Sequence, residues 1–320
     1  MVSIGVRLML CGAIGSLPLL AQSVISARAG LIHYTEGRVL VNDKPVISKP
    51  GTFSDLREKG TMRTEAGRAE ILLTPGAFLR IAEKTSIRML SDRLSDTQVE
   101  FLGGSVLIEV VDLQKENAIA ILAGSVRVMP RKEGIYRLDS NPLRLRVYDG
   151  EAQVASATDN IAVKGGRELP LEGVWAAEKF NAKTGDAFHR WSRRRAEYIA
   201  VANISAAKSL RESGWSWERS GWRWNPHFSM YTFVPLGGAR LSPFGYRLWA
   251  PRDVDEFYAP RRAVVFNPNY GYRTMRQTNS GYSGTVAATP RAPAAASTAA
   301  SGASTAPVSR ESGRAGGRNR

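Results

Sequence analysis

Cysteine and histidine are scarce in this chain of 320 residues. Cys11 is the single cysteine, which excludes a disulfide scaffold and a cysteine-based zinc site. The three histidines stand at positions 33, 189 and 227, so a histidine-based metal site would need all three to converge. No run of about 18 apolar residues follows the N-terminal stretch, which excludes a protein that crosses a membrane several times.

The motifs of common active sites are also missing. The chain has no G-x-S-x-G nucleophile elbow, no Walker loop, no H-E-x-x-H zinc motif and no G-x-G-x-x-G fingerprint. Neighbouring carboxylates such as Asp253 and Asp255 are more typical of ion pairs in a basic loop. We therefore predict no enzyme, no cofactor and no metal site, with a carbohydrate-active enzyme as an alternative.

Acidic residues are scarce only in the second part of the chain. The net charge of +15 divides into +3 for residues 1–185 and +12 for residues 186–320. The first part is typical of a near-neutral folded domain. The second is attractive to anionic surfaces, although a basic region can also serve solubility alone.

Residues 1–29 have the three-part layout of a secretory signal. Arg7 precedes an apolar stretch at 8–21, and the small residues around position 28 fit a cleavage site after Ala29, with a cut after Ala21 as the alternative. The stretch is short for a spanning helix, which needs about 20 residues. We expect a cleaved signal peptide, a periplasmic or secreted chain without a transmembrane span, and loss of Cys11; an uncleaved anchor is the alternative.

A five-residue pattern recurs between residues 30 and 175: Gly, any residue, Ala or Val, any residue, Val or Ile. It occurs at 37–41, 67–71, 104–108, 124–128 and 150–154. Apolar residues at alternate positions give a strand one buried face, and the leading glycine permits a tight turn. Further strands are expected at 78–81 and 143–147. The pattern predicts a mainly β domain, a β-sandwich or roll of about ten or more short strands.

These β segments resemble the FecR-like domain. The resemblance is carried by residues 60–64, Gly67, 69–73, Gly76, 79–81, Ser86, 99–106, 134–139, 147–152 and 163–166, about 40% of the chain. It implies an envelope regulator that passes a signal to a cytoplasmic sigma factor through an N-terminal segment and a transmembrane helix. Since only residues 1–7 precede the apolar stretch, we expect no direct contact with a sigma factor.

A linker and helix are predicted over residues 176–213. Asp186 can cap a helix that starts at Ala187. Phe188, Trp191, Tyr198 and Ala202 fall on one face, which Arg195 interrupts. The basic run 193–195 is interpreted as a solvated helix face rather than a phosphate-binding site.

An aromatic-rich unit is predicted over residues 214–260. Trp215 and Trp217 share one face of a strand, as do Trp222 and Trp224, and the two pairs could form a hairpin with four stacked indoles. The predicted contact residues for a ligand or partner are Trp215, Trp217, Trp222, Trp224, Tyr231 and Arg223. Flat rings suit sugars, and Trp, Tyr and Arg dominate protein interfaces. The alternative is that the indoles form a small core.

Residues 261–320 are predicted to be a disordered tail of Gly, Ser, Ala, Pro and Arg, because such a composition buries little apolar area. The combined prediction is a non-catalytic exported protein that binds or scaffolds in the cell envelope. Its expected partners are a cell-wall glycan or an envelope protein, and the basic C-terminal region is expected to attract an anionic surface. We expect no binding of nucleic acid. The alternative is a FecR-type signalling regulator.

Overall fold

The computed structural model describes residues 28–47, 51–214 and 219–259. Most of the predicted signal peptide, Trp215, Trp217 and the predicted tail lie outside the described residues. Arg28 and Ala29 belong to the fold: Ala29 is buried, and its N–H donates to the Asp92 carbonyl at 2.7 Å. Within the described ranges, no helix is both long and apolar enough to cross a membrane.

The described chain is mainly β, as predicted. Its strands are β1 Leu31–Val41, β2 Lys44–Pro45, β3 Ser54–Asp55, β4 Thr61–Leu72, β5 Ala77–Ile81, β6 Ser86–Arg93, β7 Asp96–Gly103, β8 Ser105–Val110, β9 Ile119–Ala123, β10 Val126–Pro130, β11 Gly134–Ser140, β12 Leu143–Asp149, β13 Glu151–Ala155, β14 Asn160–Lys164, β15 Arg167–Pro170, β16 Glu178–Lys179, β17 Gly221–Asn225, β18 Met230–Val234, β19 Arg240–Leu241 and β20 Arg247–Leu248. The helices are α1 Ala187–Glu212 and α2 Asp255–Tyr258.

The strands β1 to β16 form one sheet. Hydrogen-bonded neighbours follow the order β14-β13-β10-β9-β7-β6-β4-β5-β8-β11-β12-β15-β16, and β1 pairs with β2, β3 and β4. Within the described residues, β7 and β9 are parallel and the other pairs are antiparallel. Because β14 also contacts β12 and β15 near the other end of this order, the sheet curls on itself as a roll.

The apolar positions of all five copies of the glycine pattern lie on strands of this sheet, β1, β4, β8, β10 and β13, and in the last three the glycine precedes the strand. Gly37 has a φ of +66°, and it pairs directly with Gly67 of β4. A Cβ on Gly67 would lie 2.5 Å from the Glu36 carbonyl oxygen, which is closer than atoms approach without repulsion. Glycine is therefore required at both positions, by backbone conformation at one and by close approach at the other.

The main core fills the inside of the roll and is built from alternate strand residues. Leu79, Ile108, Leu138 and Val154 have no measurable exposure in this core. The sheet is also covered on part of its outer face, since all five residues of β5 are buried. A second apolar cluster there joins Phe78 of β5 to Ile199 and Trp222 of the C-terminal layer. The C-terminal layer is defined here as α1, β17 to β20 and α2.

Helix α1 begins where the sequence predicts. Asp186 is its N-cap, and the carboxylate Oδ1 accepts a hydrogen bond from the His189 N–H at 2.8 Å. Phe188, Trp191 and Ala202 are buried, as the predicted face requires. Tyr198 is 44% exposed, because the buried face runs through Arg195 and Ile199 instead.

The interpretation of the basic run as a solvated face is wrong for Arg195. Its side chain is only 11% exposed and is paired with Glu70 of the sheet. The neighbouring residues Arg193 and Arg194 are exposed, as expected. The difference arises because residue 195 points towards the sheet, where a buried carboxylate offers it a partner.

The strand that carries Trp222 and Trp224 pairs with β18, where Trp222 is opposite Phe233 and Trp224 is opposite Tyr231. The predicted pairing with the segment of Trp215 and Trp217 lies outside the described residues. The hairpin is fixed to α1 by side chains, since Asn225 Nδ2 donates to the Ala202 carbonyl at 2.7 Å.

Candidate functional site: a groove beside a buried charge network

Glu70 of β4 is the centre of a network of buried charges between the sheet and α1. Its Oε1 accepts hydrogen bonds from Arg195 Nη2 and His33 Nδ1, both at 2.9 Å, and its Oε2 accepts one from Arg80 Nε at 2.8 Å. The side chains of His33, Glu70 and Arg80 are fully buried. Since an ionised carboxylate only accepts, the shared proton belongs to Nδ1 of His33.

The network continues from Arg80 to the C-terminal layer. Arg80 Nη1 lies 2.7 Å from Glu109 Oε2 in a fully buried ion pair. The Ser242 hydroxyl, between β19 and β20, donates to Glu109 Oε1. The Arg80 guanidinium also lies over the Phe244 ring, 5.7 Å from its centroid. One chain of polar contacts therefore joins four strands (β1, β4, β5 and β8), the helix α1 and a C-terminal turn.

The charges of this network are strongly coupled. Burial by itself raises the pKa of Glu70, but Arg195, Arg80 and His33 outweigh it and hold the pKa well below its ordinary value of 4.5. Burial lowers the pKa of Arg80, and the carboxylates of Glu109 and Glu70 more than reverse this. Both groups are therefore ionised at neutral pH, and each needs its partners because an unpaired buried charge is costly.

A groove of about 740 Å³ opens beside this network, between β1, residues 51–54, α1 and the turn at 228–230. Its volume lies within the range of about 300–1,000 Å³ that is typical of sites for small ligands. Its aromatic lining consists of Tyr34, Phe53, Trp191, Tyr198 and Phe228.

Arg195 connects the groove to the network. Its guanidinium carbon lies 4.0 Å from the centroid of the Tyr34 ring and 5.5 Å from that of Tyr198. Since Glu70 fixes the other side of the guanidinium, the two tyrosines are held in a defined arrangement along the wall. Tyr198 is further held by Phe228, whose ring meets it at 75° with centroids 5.6 Å apart.

Of the predicted contact residues, four are described, and they lie on the hairpin of β17 and β18, outside the groove lining: Trp222, Arg223, Trp224 and Tyr231. Trp222 is 5% exposed and packs edge-on against Phe78 and Phe233, which favours the alternative that it belongs to a core. Tyr231 is also buried, and Trp224 is half-buried.

Arg223 is half-buried, and burial lowers its pKa to about 10, so it stays cationic at neutral pH. Trp215 and Trp217 lie outside the described residues, and the contact role of the set stays a prediction. The described residues contain no group of three or more His, Cys, Asp or Glu side chains placed to hold a metal ion.

Sequence reasoning missed the residues that organise the groove. Glu70 and Arg80 each stand within an apolar run of a predicted strand, Glu109 directly follows the predicted strand 104–108, and this was the available signal. A charged residue flanked by buried positions on both sides indicates a second covered face. His33, Arg195 and Ser242 gave no comparable signal, because their partners are 37 to 133 residues away in the chain.

No protein-family model matches the chain, and no curated protein matches it. Two solved crystal structures are similar, both described as "a putative anti-sigma factor" from Parabacteroides distasonis ATCC 8503. Their identities to this chain are 12% and 13%, and their TM-scores are 0.34 and 0.33. The matches cover 38% of this chain and 61% and 59% of the solved chains, less than two thirds of each. The likeness concerns the fold and is weak.

Proposed function

We propose that this chain is a non-catalytic, exported protein of the cell envelope that binds cell-wall glycan in the groove beside Arg195. The observation that carries the proposal is the groove itself, with five aromatic rings around a space of about 740 Å³. Flat aromatic faces suit the apolar faces of sugar rings, and a buried ion pair holds part of the wall in place. Export rests on the signal-like residues 1–29, and the basic region beyond residue 185 would add attraction to anionic surfaces.

The first test is sedimentation of the purified full chain with insoluble peptidoglycan. We expect retention by the wild type and roughly tenfold weaker binding by Tyr198→Ala, since a stacking loss of about 1.4 kcal/mol corresponds to that factor. Tyr258→Ala is the matched control, because Tyr258 is 49% exposed and lies outside the groove. We expect this control to bind as the wild type does.

Three results would contradict the proposal. Absence of retention would remove the glycan function. Loss of retention in a Trp215→Ala, Trp217→Ala double variant with normal binding by Tyr198→Ala would assign the contact to the predicted tryptophan segment. Release of soluble glycan fragments during incubation would favour a carbohydrate-active enzyme instead.

A signalling regulator is the second candidate, supported by the resemblance of residues 60–166 to the FecR-like domain. Membrane retention of a chain that keeps Met1, measured by fractionation and mass spectrometry, would favour this candidate. Recovery of a shortened chain in the periplasmic or secreted fraction would favour the free binding protein.

A further inference from the structure

We propose that the groove selects a carboxylate-bearing oligosaccharide, with Arg194 as the residue that recognises the acid group. The inference rests on the proposed glycan function and adds the chemical class of the sugar. It is carried by the charge and the hydroxyl groups of the groove lining.

The charged side chains along the groove differ in whether they are already paired. His33 and Arg195 are bound to Glu70, and Glu36 lies 3.4 Å from Arg68. Arg194 is exposed and has no ion-pair partner within the described part of the chain. The groove therefore offers a ligand one uncommitted cation, and a guanidinium binds carboxylates well because its donors match their geometry.

An aromatic platform stands beside this cation. Tyr198 follows Arg194 by four residues on α1, so the two side chains are neighbours on the helix surface. Arg195 and Phe228 hold the Tyr198 ring, while 44% of the residue stays exposed. A sugar ring that stacks on Tyr198 would therefore bring a carboxylate on that ring, or on the next one, within reach of Arg194.

The rest of the wall favours a ligand rich in hydroxyl groups over a lipid chain or an apolar peptide. Besides the two tyrosines, four serine and threonine side chains line the groove with their hydroxyl groups: Thr35, Thr52, Ser54 and Ser229. None of them makes a side-chain hydrogen bond to another of the described residues. They can therefore exchange hydrogen bonds with a polyhydroxylated ligand without breaking contacts of the fold.

The test compares a uronic acid trisaccharide with its carboxyl-reduced, neutral counterpart, by isothermal titration calorimetry of the full chain. We expect the wild type to bind the acidic sugar roughly tenfold more tightly, and Arg194→Gln to remove this preference with little change in affinity for the neutral sugar. The matched control is Arg190→Gln, which removes the same charge from an exposed position one turn earlier, outside the groove lining. It should keep the preference.

Equal affinity of the wild type for both sugars would overturn the assignment of the acid group while leaving the glycan function intact. An equal loss in Arg190→Gln and Arg194→Gln would also overturn it, because the effect would then come from net charge. Normal peptidoglycan retention in both Arg194→Gln and Tyr198→Ala would contradict the groove itself, and with it the proposed function.

Discussion

At the scale of the residue, Glu70 is an acid that the fold cannot accept without its partners. Donor groups of His33, Arg80 and Arg195 lie 2.8–2.9 Å from its two oxygens, and the Glu70 side chain is fully buried. Removing one partner of such a group costs about 3–5 kcal/mol, since the remaining charges stay buried and unpaired. The residue therefore links the stability of the fold to the shape of the groove wall.

The stability of the chain should depend on pH through Glu70. Because the folded-state pKa lies well below 4.5, the ionised carboxylate stabilises the fold above that pH, and this contribution is lost as the pH falls from 4.5 towards the folded value. We expect Glu70→Gln to lower the free energy of unfolding at pH 7 by about 3–5 kcal/mol and to flatten its dependence on pH below 4.5. Urea unfolding between pH 3 and 7 measures both effects.

The exposed Glu83 is the control for this experiment. Glu83→Gln removes a carboxylate whose side chain is 53% exposed and should change stability by no more than about 0.5 kcal/mol. If the free energy of unfolding of Glu70→Gln depended on pH below 4.5 as steeply as that of the wild type, Glu70 would not be the group that causes the loss of stability in acid.

At the scale of the element, Asp186 both starts α1 and attaches it to the sheet. Its Oδ1 caps the helix, while its Oδ2 accepts a hydrogen bond from Arg137 Nη1 of β11 at 2.7 Å. Burial raises the pKa of Asp186, but the His189 N–H and Arg137 outweigh it, so the pKa lies below its ordinary value. One side chain thus fixes where the helix begins and which part of the sheet it covers.

Substitution at this cap should separate its two roles. Asp186→Ala removes both contacts and should lower the free energy of unfolding by about 1–2 kcal/mol, whereas Asp186→Asn keeps a capping oxygen and should cost less. Thermal and urea unfolding of both variants would show the difference. Equal destabilisation by Ala and Asn would mean that the cap contributes little beside the ion pair.

The strands and the start of the helix could be predicted from the sequence better than the packing of the helix against the sheet. The cap at Asp186 could be predicted because its hydrogen bond joins residues three positions apart. The strands that follow a glycine could be predicted because the backbone angle φ at a residue such as Gly37 is a local property. The groove could not be predicted, because it exists only when α1 lies against β1. The direction of the Arg195 side chain depends on the carboxylate of Glu70, 125 residues earlier, and the helical periodicity of the sequence does not reveal such a distant contact.

At the scale of the whole molecule, the C-terminal layer and the sheet share one apolar interface. Leu72, Phe78 and Val111 of the sheet region pack with Ile199 and Phe233 of that layer. The charge network crosses the same boundary through Arg195 and Ser242. Neither side can separate without exposing apolar surface and leaving buried charges unpaired.

We therefore expect the sheet and the C-terminal layer to unfold together. Trp191 of α1 and Trp222 and Trp224 of β17 lie in the C-terminal layer, so tryptophan fluorescence reports on that layer, while the amide I infrared band of β-structure reports mainly on the sheet. The two signals should give the same urea midpoint within error. A fluorescence transition at lower urea would show that the layer detaches first.

The distances along the chain between network partners set an order of assembly. Glu70 and Arg80 are synthesised early, whereas Arg195 and Ser242 follow their carboxylate partners by 125 and 133 residues. A chain that emerges from its N-terminal end can form the roll while the outer face of β4, β5 and β8 is still hydrated. We expect this face to be sealed last, because the residues that cover it are synthesised after those of the roll, and the groove to acquire its second wall in that step. In a folding intermediate with a complete roll, the charged side chains on its outer face would therefore still be hydrated, and the groove could not yet bind a ligand. Ligand binding would then report that the C-terminal layer had packed onto the sheet.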